Sequence, residues 1–292
     1  TMKPNIGPRI WANSIFLLGS PILVAVWVPM YLYYEGNSAW LWVGLVAGWV
    51  LTGLGITVGY HRLFSHRAYQ ANGLWRAWWL FWGGAAIQNS CLVWSAGHRR
   101  HHQHTDTDRD PYSVKHGFWW AHIEWILHSD PVRDDFSNCR DLQKDPLVMA
   151  QHKHYWTIVF LAGLFLPLAL GSLIGRPIGM FLFAGLLRMV ITHQTTFLIN
   201  SLCHLKGDRP WDEEASAADN WLVAFFTHGE GWHSFHHRFP SDYRNGYFWH
   251  NWDPGKWAIW LGSKVGFTRK LRRQKKADEI ANRGRSTTEV TV

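Results

Sequence analysis

Two uncharged apolar runs stand at the start of the chain. Residues 14–34 read SIFLLGSPILVAVWVPMYLYY and residues 38–60 read SAWLWVGLVAGWVLTGLGITVGY. Each reaches the roughly 20 residues that cross a bilayer as a helix. The polar turn Glu35-Gly36-Asn37 between them makes the pair a hairpin. A second hairpin follows, from 156–173 (WTIVFLAGLFLPLALGSL) through Ile174-Gly175-Arg176-Pro177 into 178–199 (IGMFLFAGLLRMVITHQTTFLI). Trp and Tyr sit at several span ends, as in an interfacial belt. The first run is too long for a signal peptide, and no small-residue cleavage site follows it. Segment 74–94, LWRAWWLFWGGAAIQNSCLVW, is apolar enough to span but carries Arg76, Gln88 and Asn89.

Composition agrees. Only 17% of the residues are charged and 47% are hydrophobic, against roughly 25% charged in soluble domains, and this excludes intrinsic disorder of the chain as a whole. Three Cys with no C-x-x-C pair exclude a disulfide framework and thiolate metal sites. The net charge of +8 is unevenly placed: 61–155 holds 11 Lys and Arg, 201–292 holds 14, and the hairpin turns hold only Arg176. The positive-inside rule therefore puts both long segments and both termini in the cytoplasm. The run RKLRRQKK (269–276) reads as an anionic-lipid contact. No nucleic-acid recognition module accompanies it, so no nucleic-acid partner is expected. Residues 269–292 are expected to be a basic, disordered tail.

The 18 histidines are clustered. His61 and His66 follow the second run in HRLFSH, and their spacing of five suits a helix end running into a loop. HRRHH supplies His98, His101 and His102, HSFHH supplies His233, His236 and His237, and NSLCH supplies His204. Residues at i, i+3 and i+4 share a helix face, so each H-x-x-H-H triplet is expected to offer three imidazoles to one location. Nine convergent imidazoles exceed what one metal accepts, and two metals are implied. Imidazole suits iron, zinc, copper and nickel. His104, His116, His122, His128, His152, His154, His193, His228 and His250 are read as ordinary surface or core residues. His193 stands apart because it falls in a span, where a titratable group is a functional candidate.

The cluster decides the ambiguous segment. His61 and His98 must lie on one side of the membrane to reach the same metals, so 74–94 is expected to be an interfacial or re-entrant helix. The expected fold is an all-α membrane protein: four transmembrane helices in two hairpins, with a cytosolic helical cap holding a dimetal histidine cluster.

GYHRLFSHR (59–67), HRRHH (98–102), NSLCH (200–204) and GEGWHSFHHRFPSDYRNG (229–246) resemble the membrane-bound fatty acyl desaturases, and most closely the stearoyl-CoA, or delta-9, type. The likeness runs from about residue 14 to about 268, so residues 1–268 are taken as one desaturase domain. It implies a non-haem diiron centre, O2 as co-substrate, and two electrons from an external protein of the ferredoxin or cytochrome b5 kind, no such domain being fused here. Carried over by position, His61, His66, His98, His101, His102, His204, His233, His236 and His237 would be iron ligands. Asn200 would contact the second iron through a water; read by itself it would be a helix cap. Gln88, Trp94 and Thr196 would bend the acyl chain in its tunnel, where a buried slot aligns one C–C bond with the oxidant. Three positions depart from the pattern: Ala96-Gly97 stands where animal acyl-CoA members carry Arg-Asp, and Phe197 where a Trp follows the tunnel Thr. The carrier is therefore open among CoA, carrier protein and glycerolipid. Imidazole sites accept both metals, so recombinant material can carry zinc in place of iron.

An acyl hydroxylase or acetylenase on the same scaffold, a membrane haem- or metal-binding protein without enzymatic activity, and a zinc-dependent membrane hydrolase are the rival readings.

Overall fold

A chain segment in lipid must satisfy its own backbone polar groups, and a helix does so within the segment. In a computed structural model, which describes residues 7–278 and 280, four helices are long and apolar enough to cross a membrane. These are α1 (Trp11–Glu35), α2 (Ala39–Ser65), α5 (Tyr155–Leu173) and α6 (Pro177–His204). Between the two hairpins lie α3 (Gly73–Ala85) and α4 (Cys91–His104), and beyond α6 lie α7 (Trp221–Phe226), α8 (His233–Arg238) and α9 (Pro254–Lys264). Shorter helical turns connect them. The chain is an integral membrane protein and mostly helical, with little strand.

The two hairpins pack on one another. Leu41 and Leu45 of α2 are buried with Val28 of α1 and with Met180, Leu182 and Phe183 of α6. A second, larger core lies beneath the cap and unites Ile56, Val58 and Tyr60 of α2 with Trp79 and Leu80 of α3 and Leu92 of α4. At Gly55 the backbones of α2 and α3 touch: a Cβ there would collide with Gly83 N and the Trp82 carbonyl carbon.

Three details differ from the sequence reading. First, α2 extends past residue 60 because Gly55–Ser65 winds as a π-helix, closed by His66 N–H donating to His61 O at 3.0 Å. His66 is the first residue past that end, as the spacing of five leads one to expect, and the i→i+5 closing bond of the π turn brings its ring to the side of His61; their ring centroids are 4.9 Å apart.

Second, segment 74–94 is not one helix. It breaks after α3, at Ile87 (φ 59°) and Asn89 (φ 75°). The carbonyls freed by the break are taken up by α6: Arg188 donates to Ala85 O at 2.7 Å, and His193 Nε2 lies 3.0 Å and 3.1 Å from Ala86 O and Ile87 O. Neither α3 nor α4 qualifies as a span, and the chain returns on the same side.

Third, the first part of the expected tail is ordered. Arg269 pairs with Gln70 in a two-stranded antiparallel sheet, β1 (Gln70–Ala71) with β2 (Thr268–Arg269). Arg272 N–H donates to Ala68 O, and Gln274 N–H to Asp242 Oδ2. Residue 279 and residues 281–292, where the disordered stretch was expected to continue, lie outside the described residues.

Candidate metal centre

Ring nitrogens from four helices converge in two adjacent groups. His61 (α2), His66 (just past the end of α2), His98 and His102 (α4) and His236 (α8) form a group of five; His101 (α4), His204 (the end of α6), His233 and His237 (α8) form a group of four. Within each group one ring nitrogen per residue lies within 4.8 Å of all the others. All nine histidines singled out in the sequence are in the groups, and among the described residues none of the other nine is.

Each H-x-x-H-H triplet, however, divides between the two groups instead of serving one location. The i, i+4 pairs stay together, His98 with His102 and His233 with His237, while His101 and His236 face the neighbouring group. An α-helix turns about 100° per residue, so one triplet is wide enough to face two positions. The groups abut: the rings of His102 and His237 stack at 4.3 Å.

The donor set fits a pair of cations. Nε2 atoms face one another at 2.7 Å (His66–His98), 2.9 Å (His236–His102) and 3.0 Å (His61–His236 and His204–His233). Such closeness excludes protonation of all of them. Burial, and then the neighbouring imidazoles, hold His66, His98, His102, His236 and His237 well below their ordinary value, and bring His233 down to about 3. A neutral imidazole with a free lone pair is the ligating form.

Carboxylates and hydroxyls orient the far ring nitrogens. Glu230 Oε2 lies 2.6 Å from His61 Nδ1, and Asp110 Oδ1 lies 2.9 Å from His101 Nδ1. Ser216 Oγ is 2.6 Å from His204 Nδ1. Such partners fix the tautomer and direction of a ligating ring. Glu230 also accepts from Thr57 Oγ1 and lies 3.5 Å from Arg62, which Asp253 holds at 2.8 Å. Burial alone would raise the Glu230 carboxyl, but His61 and Arg62 outweigh it and bring it down to about 2. The sequence reading missed Glu230, Asp110 and Ser216. Glu230 was visible only as part of GEGWH, and nothing local ties this turn residue to His61, which lies on α2 far away in the chain.

A cavity of about 310 Å³ opens beside both groups, with His61, His98, His101 and His233 on its wall. Gln88, Trp94 and Thr196 line it and are bonded to each other: Gln88 Nε2 donates to Thr196 Oγ1 at 3.0 Å, and Trp94 Nε1 donates to Gln88 Oε1 at 3.3 Å. Trp94 stacks on His98 at 4.8 Å, which sets the three against the group of five. Asn200 lines the cavity too, one helical turn before His204. The break after α3 is what carries Gln88 to this wall. His193 also lines the cavity, and its ring is engaged with the freed carbonyls of that break rather than with either histidine group.

Membrane helices, a histidine site able to hold metal and an adjoining cavity of ligand size define the class: an integral membrane protein with an imidazole-rich centre beside a buried slot. The particular family follows from comparison with known proteins. The fatty acid desaturase family model matches residues 36–251, and the chain belongs to that family. It is 45% identical over 263 residues to the "Probable acyl-CoA desaturase" of Schizosaccharomyces pombe, covering 89% of this chain and 54% of that protein. It is 35% identical to the "sn-1 stearoyl-lipid 9-desaturase" of Anabaena variabilis, covering 85% of this chain and 89% of the relative. It is also 35% identical to "Stearoyl-CoA desaturase 5" of Bos taurus, covering 87% and 78%. The chain spans about half the length of the two fungal acyl-CoA desaturases it matches.

Proposed function

We propose that the chain desaturates a saturated fatty acyl chain to a cis-monoene, at the delta-9 position, using O2 and two electrons from an external ferredoxin- or cytochrome b5-like protein. Two protons and two electrons join the two hydrogens taken from adjacent methylenes, so that O2 leaves as two waters. The observation that carries this reading is the juxtaposition of two histidine groups with the cavity bearing Gln88, Trp94 and Thr196.

The nine histidines are assigned as ligands of two irons, with Asn200 reaching the second through a water. Bound there, the irons supply the oxidising power that removal of hydrogen from an unactivated methylene requires. The protein's own residues do the rest. Glu230, Asp110 and Ser216 hold three imidazoles in direction. Gln88, Trp94 and Thr196 cross-link the cavity wall where the acyl chain passes the centre, which fixes one C–C bond in reach. The buried wall keeps bulk water from the reacting methylenes.

The relatives' names support the position on the chain more than the carrier. The Anabaena protein is named for a stearoyl-lipid and the 9 position, the bovine one for stearoyl-CoA. CoA, carrier protein and glycerolipid are all compatible with Ala96-Gly97 before the second histidine box. The distribution of Lys and Arg supports a cytosolic cap and termini. No observation favours the hydroxylase, acetylenase, haem or hydrolase readings.

Expression in a desaturase-deficient host, followed by gas chromatography–mass spectrometry of its fatty acids, tests the proposal. A new delta-9 monoene is the expected product. A hydroxylated or acetylenic product, or an unchanged profile from a protein holding two irons, would overturn it.

A further inference from the structure

The cap presents an apolar surface that the histidine site does not use. Helix α7, WLVAFF, contains no polar residue. Its inward side buries Val223 and Ala224, and its outward side is apolar as well: Trp221 is 71% exposed, Leu222 48%, Phe225 43% and Phe226 42%. A helix that is hydrophobic all round belongs in a protein core or in lipid.

Counting along the spans places it in lipid. The chain just after α7 packs on α2 and α6, with the His228 ring 4.5 Å from that of Trp49 and its atoms filling the space beside Gly53. Phe226, Trp49, Gly53 and Thr192 line one small cavity. Trp49 and Gly53 follow Ala39, the first residue of α2, by roughly 15 and 21 Å at 1.5 Å per residue; Thr192 follows Pro177, the first residue of α6, by about 22 Å. Both counts start at the membrane face away from the cap and end within the roughly 30 Å hydrocarbon layer.

The surface is continuous and graded. Phe225 meets Trp252 at 5.3 Å, Trp252 meets Trp257 at 5.6 Å, and Trp249 meets Trp260 of α9 at 5.4 Å. Trp249, Trp252 and Trp260 are exposed, and Lys264 Nζ lies 5.1 Å over the Trp260 ring. Phe and Leu at depth, then Trp with a Lys at its edge, is the order in which side chains cross from hydrocarbon to headgroups. Backbone groups at the helix ends are satisfied internally: Asn220 Oδ1 accepts from Val223 N–H, Asn220 N–H donates to Gly231 O, and Gly229 N–H donates to Ala224 O.

We propose that Trp221–Phe226 dips into the hydrocarbon layer from the cap side, and that Trp249, Trp252 and Trp260 form an interfacial belt seating the cap on the lipid. This rests on α2 and α6 being membrane spans. The dip carries no crossing, so α8 and its histidines remain on the side of α4.

The test uses the full chain in lipid nanodiscs, with nitroxide labels at Leu222→Cys, Phe225→Cys and Leu261→Cys. The three native cysteines are buried and do not compete for label. Leu170→Cys on the lipid-facing side of α5 is the control for the spans, and Glu213→Cys on the cap is the aqueous control. The expected result is that labels at 222 and 225 collide with dissolved oxygen more than with a water-soluble nickel chelate, as Leu170→Cys does. The label at 261 should lie shallower, and the one at 213 should prefer the chelate. A profile at 222 and 225 like that at 213 overturns the inference, as does protection from both reagents, which would mean a protein partner. An aqueous profile at 170 overturns the span reading beneath it. The labels at 222 and 225 are separate variants, so misfolding of one leaves the other decisive.

Discussion

His101 and His237 sit in the same group of four, on different helices, with ring centroids 5.1 Å apart, and His237 also stacks on His102 of the neighbouring group. Replacing either by Ala should abolish desaturation while the protein still extracts and elutes as the wild type does; an active variant with full turnover would remove that residue from the ligand set. Glu230→Gln tests orientation rather than ligation. It keeps the shape and removes the charge 2.6 Å from His61 Nδ1. Iron retained per chain after dialysis against a weak chelator should fall about 10–100-fold in affinity terms, and Asp110→Asn should act alike through His101. Acid should release the metal and loosen the fold together. His66, His98, His102, His236 and His237 are held below their ordinary value of 6.5 when folded, and His233 to about 3. The unfolded chain therefore binds more protons than the folded one once the pH drops below about 6.5, so stability declines from there downward. Glu230, brought down to about 2, adds a loss of the same sign below about 4.5. Thermal unfolding of metal-stripped protein in detergent at pH 7.5 and 5.5 checks this, the lower pH giving the lower Tm.

At the scale of elements, the π-helical end of α2 and the break between α3 and α4 do the placing. The first depends on close backbone approach. Gly55→Val would drive a branched side chain into the backbone of Trp82 and Gly83. Overpacking of this kind costs about 1–3 kcal/mol, so the variant should melt several degrees lower and lose activity beyond what its folded fraction explains, because α2 also carries His61. Segment 74–94 shows why some of this was hidden. It is mostly apolar from Leu74 to Trp94, with Arg76, Gln88 and Asn89 its few polar interruptions, and Arg188 and His193, reaching over from α6, pair the carbonyls left where the helix ends at Ala85. The π winding that brings His61 and His66 to one side was hidden likewise. Five residues are out of phase on an α-helix and in phase on a π-helix, and the local sequence does not announce which is adopted.

For the whole molecule, two hairpins set their turns on one side of the membrane and the cap on the other. An engineered glycosylation acceptor in the turn at 36–37 should be modified in a eukaryotic microsome, and one at Glu213 should not; the reverse pattern would invert the topology. The proposed dip of α7 is compatible with this, since it enters and leaves on the cap side. Arg62, fully buried between Asp253 and Glu230, ties the cap to the end of α2. Through it, residues that follow the last span brace the first histidine box.

By itself the sequence determined that four segments must lie in the membrane, since uncharged runs of that length have no stable home in water. It also determined which nine of 18 histidines would meet, because imidazoles at helical spacing after span ends on one side of a bilayer have few other arrangements. Only the tertiary structure decided how the nine divide, five and four, and which carboxylates orient them. Those outcomes depend on contacts such as Glu230 with His61 and Gln88 with Thr196, between residues far apart in the chain. Periodicity describes one helix at a time and says nothing of which face meets which neighbour.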